Sequence, residues 1–352
     1  MIQPNHVCLK IKPHFSVVAH GPNTVELRSG VWNPISHTLS DDENKNYLLK
    51  LVTAMDGTSS VGEISDKLNI SIAEIESLVD HLQQIGAIQN SPSTAIDSYL
   101  EQVMPVLSVS NVTSEVITPR RPILLMGCND LIDSTLPLLQ KTLGHEFIKV
   151  LNHDDSRIKF LKEENNDYLH NGLDLEKILP FFEEWKEYFI VFLQKNIDPP
   201  LCIKLNRILY SLKTPWIHAA IDGPFLFVGP TFSHSIACYE CFETRISMNV
   251  KDNGCYQKYK NALINHQVHN HSELPITPIL VNLLASHVAM EITNFSISST
   301  SFTQGKVLSI YLPTMEINFN EFLRFPNCKT CGSHNLRNGK TLYFDINQLL
   351  GE

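Results

Sequence analysis

Four of the eight cysteines fall in two Cys-x-x-Cys pairs, Cys238/Cys241 and Cys328/Cys331. One such pair lets two thiolates bind a single ion from one tight turn, and two pairs complete a tetrahedral four-sulfur site. The pairs lie 328 − 241 = 87 positions apart, wider than in a zinc ribbon, so the ion would tie distant segments together. With no ligand position left open, the implied role is structural, with zinc as the cofactor. Two unrelated reduced pairs, or a redox dithiol, are the alternatives. Four thiolates matching the four-coordinate preference of zinc favour the ion. Cys8, Cys128, Cys202 and Cys255 have no such spacing and read as ordinary thiols.

A second candidate is the turn Met126-Gly127-Cys128-Asn129-Asp130-Leu131, placed between a strand and a helix where a nucleotide loop would sit. Such a loop needs glycines so that backbone N–H groups can approach phosphate oxygens. Gly127 is its one glycine, and Asp130 would face a phosphate with like charge. Asp154 and Asp155, at the end of the next strand, are candidate ribose-binding acids. Without the other glycines the close approach fails, and a nucleotide fold without its nucleotide is the favoured reading. His266, His269 and His271 read as a solvated loop, and Lys10, Lys12, Arg28 and Arg245 as dispersed surface charge. No Gly-x-Ser-x-Gly or His-Glu-x-x-His occurs, and no catalytic residue is assigned.

The elements that must position these residues follow from pattern. At 352 residues, and about 150 per domain, the chain holds about two domains. Hydrophobic residues at 43% and charged residues at 18% describe an ordinary globular protein. A net charge of −9 argues against a nucleic-acid partner held by phosphate neutralisation. No apolar run approaches the ~18 residues of a membrane helix. No secretory signal opens the sequence, so a cytoplasmic location is expected.

Residues 14–20 and 24–28 are β-rich runs joined by Gly21-Pro22-Asn23. Helices are expected over 41–54, over 61–68, and from a Ser71/Glu74 capping box to Gly86. A strand pair with three helices is a winged helix-turn-helix layout. Its third helix lacks Lys and Arg, which suits a DNA reader poorly. Residues 90–121 read as a linker with one short helix over 96–103. From residue 122 strands and helices alternate: strands at 123–126, 147–151, 188–193 and 214–219, and helices running to Gly144, over 173–185 and over 200–212. That alternation predicts an α/β fold with a parallel sheet covered on both faces. Later strands at 225–228 and 307–312 flank a helical insert over 278–295.

Several segments follow one family in order: Trp216-Ile217-His218, Val228-Gly229-Pro230-Thr231-Phe232, Ala237-Cys238-Tyr239-Glu240-Cys241-Phe242-Glu243-Thr244-Arg245 and Phe325-Pro326-Asn327-Cys328-Lys329-Thr330-Cys331-Gly332. The chain resembles the ThiF-like leader-peptide-binding proteins of thiazole/oxazole-modified microcin biosynthesis, which work beside a YcaO cyclodehydratase. The resemblance implies three segments: a winged-helix peptide clamp at 1–89, a linker at 90–121, and a degenerate ThiF-type, Rossmann-like domain with a four-cysteine zinc site at 122–352. It assigns the zinc to Cys238, Cys241, Cys328 and Cys331. The magnesium aspartate of intact ThiF-type adenylating enzymes maps to Asp198 with a one-residue slip.

The function so implied is binding the leader of a ribosomal precursor peptide and presenting it to a separate ATP-using YcaO enzyme that forms thiazoline or oxazoline rings. The rival is an active peptide-adenylating enzyme similar to the microcin C type. Implied partners are the leader, the YcaO enzyme, an FMN dehydrogenase in the same complex and a second copy of the chain. A short extended peptide is best held on a sheet edge, with alternate side chains entering pockets. Val25 and Leu27 on the strand 24–28, and Leu78, Val79 and Leu82 on the third helix, are the candidate peptide-binding residues. The alternative for each is plain core. A charge in such a groove, as in Leu82→Glu, is expected to abolish binding in a folded domain.

Overall fold

Alternating side chains build the first sheet. In β3 (Thr24–Ser29) Val25 and Leu27 are buried, while the residues between them are only partly covered. The strand pairs antiparallel with β2 (Ser16–Gly21) on one side and β4 (Ile35–Ser40) on the other. The structure, a computed structural model, describes residues 8–32, 35–89, 95–104, 106–107, 119–152, 154–162, 172–268 and 277–332. Among these, β3 is central in its sheet, so the candidate edge at 24–28 is corrected: its backbone groups are spent on both neighbours. The polar strand Ile-Ser-His-Thr-Leu-Ser, which occupies that edge, buries Leu39 alone and gives little sequence signal. His269 and His271 lie outside the described residues, as does much of the linker.

The chain forms two compact units, Met1–Gln102 and Val103–Glu352. In the first, α1 (Leu48–Ala54), α2 (Val61–Leu68) and α3 (Ile72–Gln84) are the three expected helices. The first starts seven residues later than periodicity suggests (48 against 41). Asp41 accepts the amides of Glu43 and Lys45 at 3.1 and 2.8 Å, and this local turn competes with helix. A full Ser60/Glu63 capping box starts α2, and the Ser71 side chain caps α3. Ile75, Val79 and Leu82 turn inward and meet Leu9, Ile11, Val25, Leu27, Leu51 and Ile64 in one core. A second small sheet, ordered β5-β1-β6, joins β5 (Asp56–Ser60), β1 (Cys8–Ile11) and β6 (Ile88–Gln89). Helix α4 (Ala95–Val103) follows.

The second unit is the expected α/β fold. Its sheet has seven strands, β13-β12-β11-β10-β9-β7-β8. The strands β8 (Ile148–Val150), β7 (Ile123–Gly127), β9 (Phe189–Gln194) and β10 (Trp216–Asp222) run parallel. Three antiparallel strands extend it: β11 (Phe225–Phe232), β12 (Lys306–Tyr311) and β13 (Glu316–Glu321). All of β9, and β10 up to Ile221, is buried, as expected of strands covered on both faces. Leu124, Met126, Ile190 and Phe192 pack with Leu205, Ile208 and Leu209 of α8 (Pro199–Leu212). Helices α5 (Asn129–Leu143) and α11 (Pro278–Ser298) pack on one another, α5 against β7 and α11 against β11.

The expected helix over 173–185 is corrected. It divides into α7 (Gly172–Ile178) and a 3₁₀ stretch, Leu179–Glu187, because Pro180 cannot continue the α hydrogen-bond ladder. Helices α6 (Ser156–Lys162), α9 (Tyr239–Asn249) and α10 (Asn253–Ile264) have no sequence counterpart above. Among the described residues no helix is long and apolar enough to cross a membrane.

Candidate metal centre and nucleotide crevice

A helix start and a turn far along the chain meet at the cysteines. Cys238 is the N-cap of α9 and Cys241 sits in its first turn. Cys328 and Cys331 occupy a tight turn beyond β13, in which the Cys328 amide donates to Phe325 O and the Gly332 amide to Cys328 O. Gly332 is required there, since a Cβ would stand 2.4 Å from the Cys328 carbonyl oxygen. The sulfurs of Cys238 and Cys328 lie 3.5 Å apart, those of Cys241 and Cys331 3.3 Å, and all four ligand atoms fall within 4.8 Å of one another. A tetrahedral ion with bonds of about 2.3 Å needs sulfurs about 3.8 Å apart, so the set fits. These separations far exceed a disulfide's ~2.05 Å. All four cysteines are free and buried. Cys241 Sγ also accepts the Phe325 amide at 3.2 Å, a contact that stabilises thiolate charge. The four sulfurs could therefore hold one metal ion.

Side chains that spacing alone does not flag hold the two turns together. Glu240, inside the first pair, accepts the Thr330 hydroxyl of the second at 2.7 Å and is ion-paired to Arg207 of α8. Asn206 Oδ1 accepts the Tyr239 amide at 3.0 Å. Arg324 donates to the carbonyl of Ile236 at 2.9 Å. The ligand turns are thus anchored to α8 by groups of opposite charge and matched hydrogen bonding.

The nucleotide turn is closed by its own sheet. Gly127 has φ +120°, and a Cβ there would stand 1.9 Å from Leu193 O. The glycine serves the close approach of β7 to β9. The Cys128 amide at the start of α5, which a phosphate oxygen would need, donates to that same carbonyl at 2.8 Å. Beside it lies a cavity of about 190 Å³, lined by Met126, Leu151, Phe192, Leu205 and Gln194 among others. Asp155 is held by Arg157 at 2.8 Å, which keeps its carboxyl below the usual range. Asp198 is the N-cap of α8 and accepts the Leu201 amide at 2.9 Å. The acids that a nucleotide or its magnesium would use are engaged in holding local structure.

Under this crevice lies a buried polar cluster. Gln194 Oε1 accepts from His218 Nε2 at 2.8 Å and from the Cys202 thiol at 3.2 Å. The His218 ring meets the Tyr239 ring edge-on, with centroids 5.9 Å apart, so the cluster touches the first metal turn. Burial pushes the Cys202 thiol up, so it stays protonated, and pushes His218 down to about 4. An unfolded histidine titrates near 6.5, so between those values the unfolded chain binds the extra proton. The stability His218 supports is complete above about pH 6.5 and falls as pH drops toward 4, by about 3 kcal/mol. Denaturant titrations across that window should show this slope, and His218→Gln should flatten it. An unchanged slope in the variant would refute the assignment.

The five candidate peptide residues are brought together, but inward. Val25, Leu27 and Leu82 have no exposure, Val79 has 8%, and Leu78 is half-buried against the same core. The core alternative holds for the first four, whose side chains form the interior that the helices and sheet need. Leu78 alone keeps open surface.

No family model matches the sequence, and a search of curated proteins finds no match. Solved structures do match. The heterocyclase TruD matches over 98% of this chain with a TM-score of 0.66 and 17% identity. The chain has the fold of the matched part of TruD. It spans about half of that protein's length, 47%. A heterocyclase in complex with substrate and cofactor matches over 95% of the chain, and 41% of its own, at TM-score 0.64 and 16% identity. E. coli MccB, crystallised with AMPCPP and SeMet MccA, matches over 92% of this chain and 99% of its own, at TM-score 0.53 and 16% identity. The α/β fold expected from the ThiF-like resemblance thus agrees with the TruD and MccB structures.

Proposed function

We propose that this chain binds the leader of a ribosomally made precursor peptide and presents it to a YcaO-type cyclodehydratase that uses ATP to form azoline rings. The observation that supports this most is the match of nearly the whole chain to about half of a heterocyclase. The closed turn at Gly127 supports a binding role in place of adenylation. An FMN dehydrogenase would act on the same peptide afterwards, and zinc would occupy the four thiolates. In this reading the leader adds as a strand to an open edge of the β2-β3-β4 sheet, with Leu78 at its border. The chain contributes local concentration and orientation.

The MccB match keeps an adenylating role as the second reading. Calorimetry on the full chain separates the two. The expected result is saturable leader binding and no ATP binding at physiological concentration. Precursor-dependent ATP–pyrophosphate exchange would overturn the proposal in favour of adenylation. Absence of leader binding would remove the recognition role.

A further inference from the structure

Beside the metal centre is a small polar cavity that the functional reading does not use. Its volume is about 10 Å³, and Asn206, Thr214, Trp216, Phe232 and Cys238 are among the residues that line it. Two of its polar side chains are deeply buried, Asn206 with 1% exposure and Thr214 with 4%. Among the described residues, neither Asn206 Nδ2 nor Thr214 Oγ1 has a hydrogen-bond partner. Buried polar side chains in native proteins are nearly always paired, so two orphans on one cavity wall point to a molecule that bonds both.

The orientation of the Asn206 amide is fixed. The Tyr239 N–H can only donate, so the atom it meets at 3.0 Å is the oxygen, Oδ1. Nδ2 is left with two N–H donors and no acceptor. The Thr214 amide donates to Leu209 O at 2.8 Å, which pins the backbone that carries the second orphan. The chemistry of the wall then selects the occupant. An anion would sit against the Cys238 thiolate, and a cation would meet the Asn206 donors. A neutral molecule that both donates and accepts suits all three groups. A cavity of this size holds one water and nothing larger.

We propose that Asn206 and Thr214 hold one internal water that donates a hydrogen bond to Cys238 Sγ. The water accepts an Asn206 N–H, shares a hydrogen bond with the Thr214 hydroxyl and turns its remaining O–H to the sulfur. Cys241 has its donor in the Phe325 amide, and the water gives Cys238 a counterpart. Asn206 and Thr214 are thereby positioning residues of the metal centre. Contacts of this kind orient the ligands and spread thiolate charge, and losing one costs about 10–100-fold in metal affinity. The inference rests on the four thiolates holding an ion.

Thr214→Val tests it. Valine keeps the shape, removes the hydroxyl and leaves the Asn206–Tyr239 bond in place. In a dry cavity this change would delete a buried orphan and leave metal binding as it was. With the water, chelator competition on the full chain should show zinc affinity falling about 10–100-fold, while Thr214→Ser keeps the wild-type affinity. With cobalt(II) in place of zinc, the sulfur-to-cobalt charge-transfer band of Thr214→Val should move to longer wavelength. A thiolate that loses a hydrogen-bond donor gives up its electrons more readily. A crystal structure of the wild type should show one water within hydrogen-bond distance of Asn206 Nδ2, Thr214 Oγ1 and Cys238 Sγ. Wild-type affinity and an unmoved band in Thr214→Val overturn the proposal, as does a dry cavity in that crystal structure. A wild type that binds neither metal fails the four-thiolate reading itself, and the proposal with it.

Discussion

Cys328→Ser is expected to lose the metal and, with it, the fold around the second pair of cysteines. Three thiolates cannot close a tetrahedral shell, and serine is a poor ligand for a thiophilic ion. Structural zinc contributes on the order of 10–16 kcal/mol to the folding of small zinc domains, against a total stability of about 5–15 kcal/mol for an ordinary domain. The loss lands in the core itself, because the cysteines are buried among Trp216, Phe232, Tyr239 and Phe322. Metal content per chain should fall from one equivalent to near zero, and the melting transition of the larger unit should broaden and drop. Glu240, Thr330 and Arg207 would still hold the two turns near each other, so the variant should collapse partially. Wild-type protein purified without zinc, or a variant that melts like wild type, would remove the structural-ion assignment.

Leu82→Glu is expected to unfold the first unit, contrary to the expectation that a charge there leaves the domain intact. Leu82 is fully buried, with Val25, Leu27, Ile64 and Ile75 in the same core. A glutamate there must either keep its charge without water or take up a proton. Holding it neutral at pH 7 costs about 4 kcal/mol from its usual pKa, before the lost packing of the leucine is added. That sum approaches the whole stability of a domain this size. Circular dichroism of the full chain should show loss of helix and a missing thermal transition. Leu78→Glu, on half-open surface, should stay folded and is the variant that addresses peptide binding. A folded Leu82→Glu protein would mean that α3 does not turn this face inward.

What the sequence determined by itself is what local chemistry determines. Two Cys-x-x-Cys turns announce a four-sulfur site, because each turn presents two ligands from four consecutive residues. The helix α3 was legible from its Ser71/Glu74 cap, which acts within one turn of chain, and α2 from Val61, Ile64 and Leu68 at helical spacing. The β/α alternation after residue 122 was legible because each buried strand is a short apolar run between helical stripes. Tertiary structure decided what depends on a partner far along the chain. The strand Asp56–Ser60 carries no apolar alternation and exists because Cys8–Ile11 pairs with it. Gly127 resembles a phosphate-loop glycine in sequence, yet the Leu193 carbonyl fills the space its missing side chain leaves. Glu240 looks like filler between two ligands until Thr330 and Arg207 arrive from elsewhere. Leu78 and Leu82 share one helical stripe, and only the core that closes around α3 decides which is interior. Pairing, close approach and burial are set between distant segments, and no window of local sequence contains the other half.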